Sequence, residues 1–250
     1  MNHFFITGVS RGIGEAIAHQ LLSPKNRLFC ISRSSNDGLR YAAEDMECEL
    51  VYHQVDLSRP FDILELVPQW LNKIDQEQAE SITVIHNAGV LTPVGRVGGD
   101  DRVEAIVESH HVNFMSPVLM TERFAEWTQD WQMKKQVLMI SSGAARKPRQ
   151  AWSTYCSTKA ALEMFAACMA EEQKDRDFPI QVVSLAPGVV DTAMQDFIRT
   201  HDDVEMPGVD RFIQLKEENK LWTTKYVAER TVELLQSATF GERVILDLRE

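Results

Sequence analysis

Tyr155 and Lys159 stand four residues apart in Tyr155-Cys156-Ser157-Thr158-Lys159, shortly after the pair Ser141-Ser142. On a helix such positions project from one face, so a phenol and an ammonium meet. A free phenol is a poor acid, with a reference pKa of about 10. A fixed ammonium beside it favours the phenolate and brings its proton into range for transfer to or from an oxygen. The Ser142 hydroxyl can hold that oxygen. Together the three groups point to proton transfer on a carbonyl or an alcohol.

Such a site needs a frame, and strands alternate with helices throughout the chain. Residues 3–7 form a short apolar run that reads as a buried strand, and 13–22 read as a helix with Ile13, Ile17, Leu21 and Leu22 on one face, stopped by Pro24. Further strands are expected at 27–32, 49–55, 81–86, 136–141, 180–186 and 243–248, and helices at 37–46, 61–74, 102–127, 155–174 and 225–235. Crossovers of this kind imply one parallel sheet of about seven strands with helices on both faces, a doubly wound α/β fold. Ligands are then expected at the carboxyl ends of the strands. Residues 191–221, where Pro207 and Gly208 interrupt weak helical patterns, read either as a substrate lid or as a surface excursion.

The chain has 250 residues, 44% of them hydrophobic, enough for a single large domain. A formal net charge of -11 disfavours nucleic acid and anionic membranes as partners. Cys30, Cys48, Cys156 and Cys168 are scattered without metal-ligand spacing, so neither a zinc site nor a disulfide framework is expected. With no long apolar run and no secretory leader pattern, the expectation is a cytoplasmic protein.

Thr7-Gly8-Val9-Ser10-Arg11-Gly12-Ile13-Gly14 joins the first strand to the first helix. Glycines there permit a tight turn and let a pyrophosphate approach the backbone, while the helix N-terminus offers free N–H groups and a positive dipole end. After the second strand, an NAD site would present Asp or Glu to the ribose hydroxyls. This chain has Ser32-Arg33-Ser34-Ser35 instead. Arg33 can pair with a 2'-phosphate, assisted by Arg11 and the Ser34 hydroxyl, so NADP(H) is the expected cofactor. Ile6, Asp56 with Leu57, and Asn87-Ala88-Gly89 fall at or near three other strand ends on the same rim.

With these residues placed, the chain resembles the short-chain dehydrogenase/reductase family over essentially its whole length. The matching elements run in family order: Thr7 to Gly14, Asp56, Asn87 to Gly89, Asn113, Ser142, Tyr155 with Lys159, and Pro187-Gly188 followed by Thr192. Within the family, Ser141 to Ala144, Trp152 to Lys159 and Ala186 to Gln195 are similar to the sepiapterin reductase branch and, more narrowly, to bacterial benzil reductases, which also carry a segment like Asp210 to Ile213 and Leu215 to Glu218. The resemblance implies a Rossmann fold. It also implies that Tyr155 donates the proton, that Lys159 lowers the phenol pKa and binds the nicotinamide ribose, and that Ser142 orients the carbonyl. Asn113 would help hold a water that links Lys159 to solvent, and Pro187, Gly188, Val190 and Thr192 would pass close to the nicotinamide carboxamide. Packing through the long helices near Arg102 and Thr154 would give a homodimer or homotetramer.

The expected activity is NADPH-dependent reduction of a ketone, a 1,2-diketone such as benzil or a pterin side-chain ketone. Trp152 and Met194, with Phe197, are expected to wall the substrate pocket. His110 and His111 have no partner carboxylate and read as structural. Two alternatives stand: an NAD-linked secondary-alcohol dehydrogenase, and a catalytically silent NADP-binding regulatory protein.

Overall fold

In a computed structural model describing every residue except Asp100, seven strands form one parallel sheet in the order β3-β2-β1-β4-β5-β6-β7. They are β1 (Asn2–Thr7), β2 (Asn26–Ser32), β3 (Glu49–Gln54), β4 (Ser81–His86), β5 (Lys134–Ile140), β6 (Ile180–Ala186) and β7 (Ile245–Asp247). Alternation along the strands sends side chains to opposite faces. Phe5, Phe29 and Val84 enter one core with α3 (Ile63–Leu71), α5 (Ser116–Thr128) and α6 (Ser153–Glu172). Ile6, Leu28, Cys30 and Ile85 enter the other with α1 (Gly12–Gln20), α2 (Asp37–Asp45) and α9 (Thr224–Gln236). The strand order reverses between β1 and β4, and a crevice opens there at the carboxyl ends of the strands.

Two departures from the expected elements have local causes. Strand β5 starts at Lys134, two residues before the expected start at 136, because buried Lys135 extends its ammonium to the Thr128 and Gln129 carbonyls, both at 2.7 Å, at the end of α5. The expected helix over 102–127 is broken into α4 (Val103–His110) and α5 by a π turn, His111–Met115. Pro117 has no N–H for the Asn113 carbonyl four residues back, so the regular ladder cannot continue there.

The segment 191–221 contains α7 (Ala193–Arg199) and α8 (Asp210–Glu217). Ile198, Met206, Val209 and Phe212 from this segment pack with Trp152 and Tyr155 in a third apolar cluster. No helix among the described residues is long and apolar enough to cross a membrane.

Candidate functional site

A cleft of about 1310 Å³ runs along the carboxyl ends of the strands. The β1–α1 turn forms one wall. Gly8 has φ +74°, and a Cβ there would lie 2.8 Å from the Ala88 Cα. Thr7 Oγ1 accepts from the Asn87 and Ala88 N–H groups at 3.1 Å, and Asn87 Nδ2 donates back to the Thr7 and Gly8 carbonyls. The turn is thus fastened to the end of β4. Helix α1 begins without a side-chain cap, leaving its first N–H groups for an anion. This arrangement fits the pyrophosphate of a dinucleotide.

Ser10, Arg11, Gly12 and Ile13 line the cleft beside Gly8, and Asn87, Ala88 and Gly89 line its floor. Ile6 and Gly14 do not reach it. Ile6 is wholly buried in the core, and Gly14 serves packing: a Cβ would sit 2.2 Å from Asn87 Nδ2 and 2.3 Å from the Gly8 carbonyl oxygen. A glycine pattern alone does not distinguish the residue that approaches a ligand from the one that lets the loop close on itself.

Arg33, Ser34, Asp56 and Leu57 line the adenosine end. Tyr52 and Ser32 hold that loop, since the Tyr52 hydroxyl donates to the Ser34 carbonyl at 2.9 Å and Ser32 Oγ to the same oxygen at 2.7 Å. The Ser58 backbone N–H, 3.0 Å from Asp56 Oδ1, holds the Asp56 carboxyl below its ordinary range, helped by Arg33 and Arg59. Two residues the sequence reading missed act here. Asn36 caps α2 through Leu39 N–H and donates to Glu15 and to the Val9 carbonyl, joining two turns. Glu108, from α4, reaches to 3.8 Å from Arg33. Asn36 had a legible signature as an N-cap before a helix; Glu108, distant in the chain, had none.

At the other end Tyr155 and Lys159, one turn apart on α6, are both buried, and Ser142 sits at the end of β5. Lys159 Nζ lies 5.9 Å from the Tyr155 ring centre and donates to the Ile140 carbonyl at 2.9 Å. Burial opposes the lowering expected of the phenol. Desolvation pushes Tyr155 up to about 12, with the Ser142 hydroxyl pulling the other way. Desolvation likewise holds Lys159 down to about 8. Both charged forms are disfavoured because both groups are sealed under α6, and the ammonium is turned toward Ile140.

Asn113 is also placed behind the cleft. Its Oδ1 accepts from Val90 N–H and its Nδ2 donates to the Val90 carbonyl, both at 2.8 Å, and to Thr158 Oγ1 at 3.1 Å. The side chain therefore clamps Val90. His110 and His111 bind the Ile106 and Ser58 carbonyls and stand outside the cleft.

Pro187, Gly188, Val190 and Thr192 follow β6 along the cleft. Gly188 has φ +82°, and a Cβ there would meet the Trp222 ring at 2.9 Å. Trp222, unforeseen in sequence, fixes this loop by hydrogen bonds with Asp191 and Val189. On the substrate side Trp152 meets Tyr155 edge-on at 5.9 Å and stacks on Phe212 at 5.7 Å. Met194 and Phe197 line the same end, with Phe197 edge-on to His201. Arg149 and Arg249 complete that wall and were not foreseen. No group of metal-ligating side chains occurs among the described residues.

The family model for short chain dehydrogenase matches residues 2–203. Benzil reductase ((S)-benzoin forming) from Bacillus cereus is 36% identical over 250 residues, covering 100% of both chains. Sepiapterin reductase from Rattus norvegicus is 30% identical, covering 97% of this chain and 94% of its own. Among solved structures, a short-chain dehydrogenase/reductase from Saccharomyces cerevisiae superposes with a TM-score of 0.84 at 27% identity, over 100% of this chain and 97% of that one. A match across most of the chain, together with relatives aligned from end to end, makes this protein an oxidoreductase of the short-chain dehydrogenase family.

Proposed function

We propose that the protein is an NADPH-dependent carbonyl reductase acting on a bulky ketone, a 1,2-diketone of the benzil type or a pterin side-chain ketone, with Tyr155 as proton donor. The observation that carries this reading is the convergence of Ser142, Tyr155 and Lys159 on one end of a cleft whose other end is the glycine turn. When bound there, the reduced nicotinamide supplies the hydride. Ser142 orients the carbonyl oxygen, and Tyr155, protonated at neutral pH, gives it the proton. Lys159, one turn along α6, binds the nicotinamide ribose and supports the loss of that proton, and Asn113 helps hold a water that links Lys159 to solvent. The similarity to benzil and sepiapterin reductases supports the substrate class.

Arg33 supports NADP(H), because an arginine and two serines, with no carboxylate among them, directly follow β2. The 3.8 Å approach of Glu108 to Arg33 is the one observation favouring an NAD-linked reading. Residues 191–221 are read as a substrate lid, because α7 and α8 bring Met194 and Phe212 over Trp152. Oxidation of NADPH and NADH, followed by absorbance over 1,2-diketones, sepiapterin and simple aldehydes with chiral analysis of the alcohol, tests all of this. Turnover with NADPH and a diketone is expected. A preference for NADH sinks the cofactor assignment, and binding without turnover of any carbonyl sinks the enzyme reading.

A further inference from the structure

Arg149 is the feature that carbonyl reduction leaves unexplained. Its guanidinium carbon lies 5.5 Å from the Trp152 ring centre and 5.4 Å from that of Phe212, against two rings stacked at 18°. Rings hold a cation over their faces but leave its N–H donors unused. The side chain is half-buried in the cleft wall. Among the described residues it has neither an ion-pair partner nor a hydrogen-bond acceptor. Asp247, the acid that reaches Arg249 of this wall, is already taken by Arg249 at 2.7 Å and by Arg146 at 3.3 Å. Arg211 and Arg249 add positive charge around Arg149. With Arg249 paired in this way, Arg149 is an unpaired cation of the cleft wall among the described residues, in a chain of net charge -11.

A desolvated guanidinium with free donors is matched by a planar anion, which it binds through two parallel hydrogen bonds. We propose that Arg149 anchors the substrate, and that the preferred ketone carries a carboxylate about one aromatic ring away from the carbonyl that meets Tyr155. The spacing is bounded by the Trp152 ring, whose centre lies 5.5 Å from the guanidinium carbon and 5.9 Å from the Tyr155 ring centre, so the two groups stand no further apart than one carboxyl-bearing ring can span. This inference rests on the reading of Tyr155 as the reacting end. Arg149 acts on selection, and the proton transfer belongs to Tyr155.

The test compares benzil bearing a para-carboxylate with its methyl ester, which share a carbon frame, using NADPH oxidation by the intact protein. A charge-assisted pair of this kind is expected to give the acid about a ten- to hundredfold advantage in kcat/KM, carried by KM. Raised salt should shrink the advantage. In Arg149→Met, which keeps much of the packing against the rings, the acid-to-ester ratio should fall to near one, and Arg149→Lys should recover part of it. NADPH fluorescence titration shows whether each variant keeps its cofactor site; if Arg149→Met loses it, the wild-type ratio and Arg149→Lys decide. Equal rates for acid and ester in the wild type, or a ratio that Arg149→Met leaves unchanged, overturn the proposal while carbonyl reduction stands. Failure to reduce any ketone overturns the preceding section's reading and this one with it.

Discussion

Where β1 turns into α1, the cleft is shaped by main chain: glycine at positive φ, uncapped helical N–H groups, and an Asn87 amide nitrogen occupied in holding the turn. Where α6 faces α8, the wall is made of side chains from separate elements, with Trp152, Phe212 and Arg149 stacked on one another. The first arrangement recognises what all dinucleotides share, a pyrophosphate. The second, on the proposed reading, responds to whatever differs among substrates, and only its Phe212 sits on α8, a short helix outside the sheet. Between the two, Tyr155 and Lys159 are buried as deeply as core residues. On the proposed reading, chemistry is placed among core-like residues and selectivity on side chains gathered from separate elements.

The largest expected effect lies at the junction. Tyr155→Phe should lower kcat by about 10²- to 10⁴-fold, the usual worth of a positioned proton donor. NADPH affinity should change far less, as fluorescence titration would register. Near-normal turnover would mean that another group gives the proton. Next is the rigid half itself: Asn113→Ala strips both backbone groups of Val90 of their partners and should cost about 2 to 4 kcal/mol by denaturant unfolding. Met194→Ala, on the half-buried lid side, should cost roughly 1 kcal/mol or less. Equal costs would erase the contrast between the two regions.

Arg33→Asp tests the adenosine end. It should lower the preference for NADPH over NADH by about 10- to 100-fold in kcat/KM, since it removes a charged partner and adds a repelling one. An unchanged ratio would show that Arg33 does not meet the phosphate. The pH profile probes the buried pair. Reduction uses protonated Tyr155 and Lys159, so kcat/KM should be flat below about 8 and fall above it as Lys159 loses its proton. In Lys159→Arg the limb should move to higher pH, because a guanidinium does not titrate there. Stability runs the opposite way. The unfolded chain holds this proton up to 10.5 and the folded chain only to about 8, so stability should rise with pH between those values. The smallest effect is expected from Glu108→Gln, which frees Arg33 from a partly exposed pair and should tighten NADPH by up to about fivefold.

Sequence alone determined the alternation of strands and helices, and hence the parallel sheet and the rim where the cleft opens. Strand and helix periods are local, as are glycines in a turn and a Tyr-Lys pair one helical turn apart. Several facts needed the tertiary structure. Ile6 and Gly14 serve the core and the loop's own closure, because whether a residue faces a ligand depends on what packs behind it. The Asn113 amide clamps Val90 through hydrogen bonds that span the chain. Glu108 reaches Arg33, and Phe212 reaches Trp152, across separations that no local pattern records. The protonation of Tyr155 and Lys159 also waited on the fold. Spacing brings the two groups together, but burial sets how strongly each resists its charge, and burial is a property of the whole packed molecule.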